Sequence, residues 1–522
     1  MLRAFSKLNS QNTLENYSIS KNKFLDYIWP IHRHELSKFL FITLLMFCIL
    51  GIQNLIRALK DSIINTMIGT QTIAFLKFGG VMPSAILITI IYIKLVSVMK
   101  TERIFYLIMS CFLLFFALFA FYLFPNHQSL HLSVQNTNHL ISIYPNAKWL
   151  ILPMSNWSFS LFYIIAELWP NVVFALLFWQ FVNSITNVEQ SARFYPLFGL
   201  LGQSGLYISG QFLSHLPQVN EYVINKFSLH RINDDHALSI QIVLVVVIAL
   251  GLIALGTFWL LYNILLDKSI VQNIQFQAKK NQLGLIDSIK TVLSSRYILL
   301  IAIMLICYGT TINLVEGPWK ALASTVYTTP TSFAAFVGNY LSYTGLFTIL
   351  FVLICSNIVR RAGWFAAAII TPMIVFVTGF GFFIISDFDF MPILYFIGFA
   401  ITDPVSIAVV FGAVQNILSK SSKYALFDAT KEMAYVPLPY GLKTKGKAAA
   451  DIVGTKLGKS FGSFLQIIIF VIFPNAQYNS ISFYLMIVFV VICICWIYSV
   501  IQLNKEYKSA ISKPNTKNTY GV

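Results

Sequence analysis

Ionisable side chains set inside long apolar runs are the residues of this chain that could do chemistry. Glu167 stands in "YIIAELWPNVVFALLFW", Arg57 and Lys60 in "IQNLIRALKD", Glu316 and Lys320 in "TINLVEGPWK", and Asp403 in another apolar run. A charge within a membrane span costs roughly 2.5 to 3.5 kcal/mol on insertion scales, so such residues usually face a cavity. Lysine and arginine neutralise phosphate oxygens, arginine through a two-pronged fork. A neighbouring carboxylate can hold the cations apart, accept a proton, or hydrogen-bond a sugar hydroxyl or base amine. Together they read as a pathway for an anion. Two other readings stand beside this one: private pairs that fix helix packing, or long side chains at span ends that reach water. The second applies to Lys60 and Arg57 but poorly to Glu167, whose carboxylate is short.

A second pattern is "DIVGTKLGKSFGS". It approaches a phosphate-binding P-loop, but only three residues separate Gly454 from Gly458, Lys459 and Ser460, where four are needed, and no strand precedes it. Nucleotide hydrolysis is not expected. A lysine and glycines at a helix start could still hold a phosphate; alternatively, Gly458 and Gly462 serve close helix packing. Lys447, with Lys443 and Lys445 in "GLKTKGKAAA", reads as a solvated face and is a secondary candidate. The histidines lack ligand spacing, and the six cysteines sit in or beside apolar runs as small packing residues. No metal site, cofactor or catalytic constellation is expected, and an enzyme is not the reading.

The elements that must position these residues are membrane helices. Hydrophobic residues make up 57% of the 522, and the mean hydropathy is +0.73, which excludes an ordinary soluble protein. Runs of about 20 apolar residues lie near 39–57, 74–95, 104–124, 157–182, 196–216, 239–266, 297–317, 335–358, 364–386, 391–413, 457–473 and 481–503. Lysines and arginines collect in cytoplasmic loops. Only Arg57, Lys60, Lys77, Lys148, Lys226, Arg231 and Lys320 fall in the alternate connections, leaving 29 of 36 on one side. The net charge of +16 thus reflects topology, and nucleic acid is not an expected partner. With no signal-peptide pattern, both termini are placed in the cytoplasm.

The expected organisation is an N-terminal segment 1–38, a six-helix half 39–266, a cytoplasmic linker 267–296, a second six-helix half 297–503 and a tail 504–522. A weak repeat supports it. Both first spans carry Asn-Leu, a charge two residues on (Arg57, Glu316), then a lysine (Lys60, Lys320). The fold class is therefore an all-α membrane protein of twelve transmembrane helices in two halves, major-facilitator-like, with substrate held between the halves.

The strings "MFCILGIQNLIRALKDS", "AELWPNVVFALLFWQFVN", "ARFYPLFGLLG", "YGTTINLVEGPWK", "YALFDATKEMAYVPL" and "KGKAAADIVGTKLGKSFG" resemble the ADP,ATP carrier (nucleotide transport protein) family of rickettsiae, chlamydiae and plastids. The likeness runs from Trp29 to Tyr507 and is nearest to rickettsial members. It implies exchange of ATP for ADP, or of related nucleotides, across the plasma membrane of an obligate intracellular bacterium. It also implies transport roles for Lys60, Glu167, Glu316 and Lys459; Arg57, Asn171, Lys320 and Lys447 are secondary candidates read from the residues themselves. The chain departs from many members at Pro170 and Asn171, after "AELW", and at Phe461. The partners expected are nucleotides and lipid, the protein acting as a monomer. One-way proton-coupled import of another nucleotide or organic anion is the alternative.

Overall fold

The computed structural model describes residues 31–186, 188–227, 235–265, 293–387, 403–438 and 446–512. Twelve long helical stretches run through them. The first six are α1 (Arg33–Ile68), α2 (Thr72–Val96), α3 (Glu102–Leu123), α4 (Trp157–Ile185), α5 (Val188–Ser214) and α6 (Ala237–Ile264). The second six are α7 (Arg296–Val326), α8 (Pro330–Val352), α9 (Ala362–Asp387), α10 (Pro404–Ser422), α11 (Lys447–Ile472) and α12 (Tyr478–Ser512). Among the described residues nine of these are long and apolar enough to cross a membrane. The other three, α5, α10 and α11, overlap the expected fifth, tenth and eleventh spans, and within α11 Ser460–Ile472 is a shorter apolar stretch. Residues 391–402 of the expected tenth span, and the linker up to 292, lie outside the described residues.

Local chemistry sets the helix boundaries. Gly363 adopts φ +80, a left-handed conformation that only glycine takes without strain, and it kinks the chain at the start of α9. Asp403 caps α10: its carboxylate accepts from the backbone N–H of Val405 (3.0 Å) and Ser406 (3.3 Å), with Pro404 at the first helical position. Asp403 is thus an exposed capping residue rather than part of an anion path.

Two helices run on well beyond the spans that hydropathy marks: α7 continues to Val326, past the expected end at 317, and α10 to Ser422, past 413; Lys77 lies in α2, within the expected run 74–95. Lys77, Lys320 and Lys420, assigned by charge to connections, therefore belong to helices. A hydropathy reading stops at a lysine because it prices that charge against lipid. These lysines meet polar groups of other helices instead, and the helix carries on.

The same packing scheme occurs twice. α1 packs on α4, α5 and α6, and α7 on α10, α11 and α12. The two groups are joined by α5 against α8 and by α2 against α11. Contacts joining the groups gather toward the end where α1 and α7 finish, here the distal end. There Ser62 Oγ donates to the Pro330 carbonyl, Ser342 Oγ to the Tyr207 carbonyl (3.3 Å), and Trp149 Nε1 to the Pro474 carbonyl (3.1 Å). Gly210 and Gly338 let α5 and α8 touch: a Cβ at Gly210 would stand 2.6 Å from the Gly338 carbonyl oxygen.

Candidate functional site

One face of α1 presents Arg57, Lys60 and Asp61, spaced three and four residues apart and so aligned along the helix. α7 presents Asn313, Glu316 and Lys320 in the same manner. α4 contributes Tyr163 and Glu167, α2 contributes Lys77 and α10 contributes Lys420. Five cations and three carboxylates from five helices thereby meet between the two helix groups.

Their contacts form a chain. Lys60 Nζ lies 2.6 Å from Asp61 Oδ1 and 2.9 Å from Glu167 Oε1. The other oxygen of Asp61 accepts from Lys320 Nζ at 3.0 Å. Lys320 also lies 3.5 Å from Glu316, which receives Arg57 at 3.6 Å and Lys420 at 2.9 Å. The Lys420 contact is an ion pair by distance but lies off the angle of a hydrogen bond. Asp61 is fully buried, and Lys60, Glu316, Lys320 and Lys420 are each less than a tenth exposed. Lys77 Nζ donates to Asn313 Oδ1 at 2.5 Å, and among the described residues no ion pair holds it. Two tyrosine rings lie under the ammonium groups, Tyr163 at 4.4 Å from Lys60 and Tyr340 at 5.1 Å from Lys420. Such contacts lower the cost of keeping a cation away from water.

A cleft opens beside the chain between α2, α7, α11 and α12. Lys77, Glu316, Lys320, Ser463, Gln466 and Tyr478 line it. Gln466 donates to the Asn313 carbonyl (2.9 Å) and accepts from the Tyr478 hydroxyl (2.8 Å), so its wall is a held polar surface.

Breaking one partner of a buried ion pair typically costs about 3 to 5 kcal/mol, because the other charge is left uncompensated. Here the cations outnumber the carboxylates, so the site is electrostatically suited to a polyanion. An incoming phosphate can replace a carboxylate on a lysine without leaving either cation bare.

Of the residues singled out in the sequence, Lys60, Glu167, Glu316, Arg57 and Lys320 meet here. The reading of Lys60 and Arg57 as water-reaching span ends does not describe them: Lys60 is buried and both are ion-paired across helices. Asn171 stands on an exposed position just beyond Pro170, in a widened π-helical stretch Pro170–Phe178. Proline has no N–H for the preceding turn and crowds its carbonyl, a physical reason for that widening one turn from Glu167. Lys447 is half-exposed and paired with Glu432.

Lys459 lies within α11, whose described backbone is helical from Lys447 onward, and its side chain is outside the described residues. The helix-start reading of "GKS" therefore does not apply, because amides in mid-helix are spent on the helix itself. Gly458 instead packs on α7: a Cβ there would lie 2.9 Å from the Ile306 carbonyl oxygen.

Asp61, Lys77 and Lys420 went unread in the sequence. Asp61 stood beside Lys60 in a strongly apolar run, which was signal enough. Lys77 stood inside the expected span 74–95, which was also a signal, whereas Lys420 carried none, being at the edge of a polar stretch.

A model of the TLC ATP/ADP transporter family matches residues 14–507. The chain is 61% identical over 507 residues to ADP,ATP carrier protein 4 of Rickettsia bellii, covering 97% of each chain. In fold it is similar to a D-xylose–proton symporter (TM-score 0.54, 11% identity, 88% of this chain and 97% of that one). It is equally similar to a bacterial homologue of the iron transporter ferroportin in an inward-facing state (TM-score 0.53, 14% identity, 91% and 99%). The chain is a multi-pass, all-helical membrane protein with a transporter fold, and it belongs to the TLC ATP/ADP transporter family.

Proposed function

We propose that this protein exchanges adenine nucleotides, ATP against ADP, across the plasma membrane of a bacterium by alternating access between two helix halves, 39–266 and 297–503. The observation that carries the reading is the surplus of buried cations over carboxylates at the junction of the groups, in a chain of this family. Lys60, Lys320, Lys420, Lys77 and Arg57 would bind the phosphates. Glu167, Glu316 and Asp61 would hold those cations in place while the site is empty. Lys459 keeps a proposed phosphate role through its position on α11.

Both termini are proposed to be cytoplasmic, with twelve spans, so the joined distal end faces outward and the site is reached from the cell interior. The functional unit proposed is the monomer. Exchange needs no hydrolysis, because the membrane potential acts on the difference in charge between triphosphate and diphosphate. The test is uptake of radiolabelled ATP by cells or proteoliposomes holding the protein, chased by external ADP and by the other ribonucleotides. Failure of well-inserted protein to carry any of them would sink the reading.

A second reading, proton-coupled one-way import, draws on Glu167, the one carboxylate of the cluster with a side chain a fifth exposed. Uptake that needs no internal nucleotide and collapses with an uncoupler would favour it.

A further inference from the structure

The two helices that carry most of the cluster are related by an inverted charge pattern. Asn54-Leu55 on α1 matches Asn313-Leu314 on α7, 259 positions later, and on that register Arg57 falls on Glu316 and Asp61 on Lys320. The lysines of the sequence repeat are therefore not equivalent; Lys60 falls on Trp319. The matched positions have opposite charge, and each touches its own counterpart: Arg57 with Glu316 at 3.6 Å, and Asp61 with Lys320 at 3.0 Å. Outside that register, each of the two helices also holds a charge from the fourth helix of its own group. Lys60 on α1 meets a carboxylate from α4, Glu167, at 2.9 Å, and Glu316 on α7 meets a lysine from α10, Lys420, at 2.9 Å.

A repeat that kept its charges would place like against like where α1 faces α7. The inverted repeat turns the same positions into two attractive rungs, one turn apart, that tie one helix group to the other. They lie beside the distal contact of Ser62 with Pro330.

We propose that these rungs are a latch that keeps the distal end shut in the unloaded protein, and that Asp61 and Glu316 are built-in stand-ins for the anionic groups of the substrate. Asp61 is a positioning residue: it bridges Lys60 of one group and Lys320 of the other. A phosphate that takes these lysines releases the carboxylate and with it the tie. The empty carrier stays shut, so it does not return unloaded, and transport becomes strict exchange. The stand-in role rests on the nucleotide reading; the latch does not.

The test measures the distal opening directly in full-length protein in lipid nanodiscs. Spin labels are placed at Met67→Cys on α1 and Val326→Cys on α7, both partly exposed, with the exposed Cys111 and Cys495 changed to Ser. Native protein and the charge-conserving variant Asp61→Glu/Lys320→Arg should each give one short distance. The neutralised variant Asp61→Asn/Lys320→Gln should gain a longer population, and ATP or tripolyphosphate added to native protein should produce the same lengthening. In vesicles the neutralised variant should release labelled ATP several-fold faster than native protein when no counter-nucleotide is outside.

An unchanged distance on neutralisation, with the charge-conserving variant confirming a folded protein, overturns the latch. Opening on neutralisation with no response to ATP or tripolyphosphate overturns the stand-in role and leaves the latch. Native protein that moves no nucleotide at all would count against the proposed function and not against the distances.

Discussion

Lys420 approaches Glu316 to 2.9 Å, and with it a lysine that sequence reading assigned to a basic connection becomes part of the buried core of the site. Its ammonium stands 5.1 Å from the centre of the Tyr340 ring. Glu316 is also met by Arg57 and Lys320, so removing Lys420 does not strip that carboxylate of all its partners. The loss should therefore fall on transport more than on folding. Lys420→Gln is expected to insert normally and to lower exchange at least about tenfold, equivalent to roughly 1.4 kcal/mol. Lys420→Arg, which keeps the charge, should recover part of it. Exchange rates in proteoliposomes normalised to inserted protein provide the check.

Glu167 offers the corresponding test in the first helix group. Glu167→Gln removes one of two anions on Lys60 and leaves Asp61 at 2.6 Å. Lys60 should then be held more tightly by Asp61 alone, and its exchange between carboxylate and phosphate should slow. Turnover is expected to fall about tenfold or more, with Glu167→Asp intermediate. A variant that exchanges at the native rate would remove Glu167 from the site.

How far the sequence could foresee this arrangement depends on what each residue needed in order to be noticed. Glu167, Arg57, Lys60 and Glu316 were conspicuous because apolar residues flank them, and a bare charge in lipid requires an explanation. Lys420 was invisible for the converse reason: it borders polar sequence, and only the packing of α7 against α10 shows that it points into protein. Lys77 stood inside the expected span 74–95 but was counted with the connections. Of the five helices that bring charges to the site, α1, α2, α4 and α7 are apolar enough to span, and α10, which carries Lys420, is not among those nine. Pairing across the groups depends on which positions of two distant segments face each other, and periodicity within one segment does not contain that information.

Two buried hydroxyls give a cleaner probe of substrate contact. Tyr163 and Tyr340 lie beneath Lys60 and Lys420, and neither hydroxyl has a hydrogen-bond partner among the described residues. A buried donor left unpaired costs about 1 to 3 kcal/mol, a cost recovered if a substrate oxygen accepts from it. Tyr163→Phe and Tyr340→Phe should therefore leave thermal stability unchanged or slightly higher. The KM for nucleotide should rise about fivefold, the value of one ordinary hydrogen bond near 1 kcal/mol. Stability and KM moving together would instead mark the hydroxyls as structural.

Pro170 separates stability from function most sharply. It lies three residues after Glu167 and opens the π-helical stretch that runs to Phe178. A proline inside a helix costs about 3 kcal/mol relative to alanine, through the missing N–H and the crowded carbonyl of the preceding turn. Pro170→Ala supplies that N–H and permits an ordinary α-helical turn. The stretch after Glu167 would then shift in register, because each residue of a π-helix advances less than one of an α-helix. Glu167 is held by Lys60 at 2.9 Å and has little freedom to follow. The variant is expected to unfold at a higher temperature than the native protein while exchanging nucleotides several-fold more slowly. The neighbouring Asn171→Gly, at an exposed position, should change neither quantity by more than a small factor. Thermal unfolding in detergent and exchange in proteoliposomes, run on the same preparations, check both. A Pro170→Ala protein that is more stable and fully active would show that the widened turn does not set the position of Glu167.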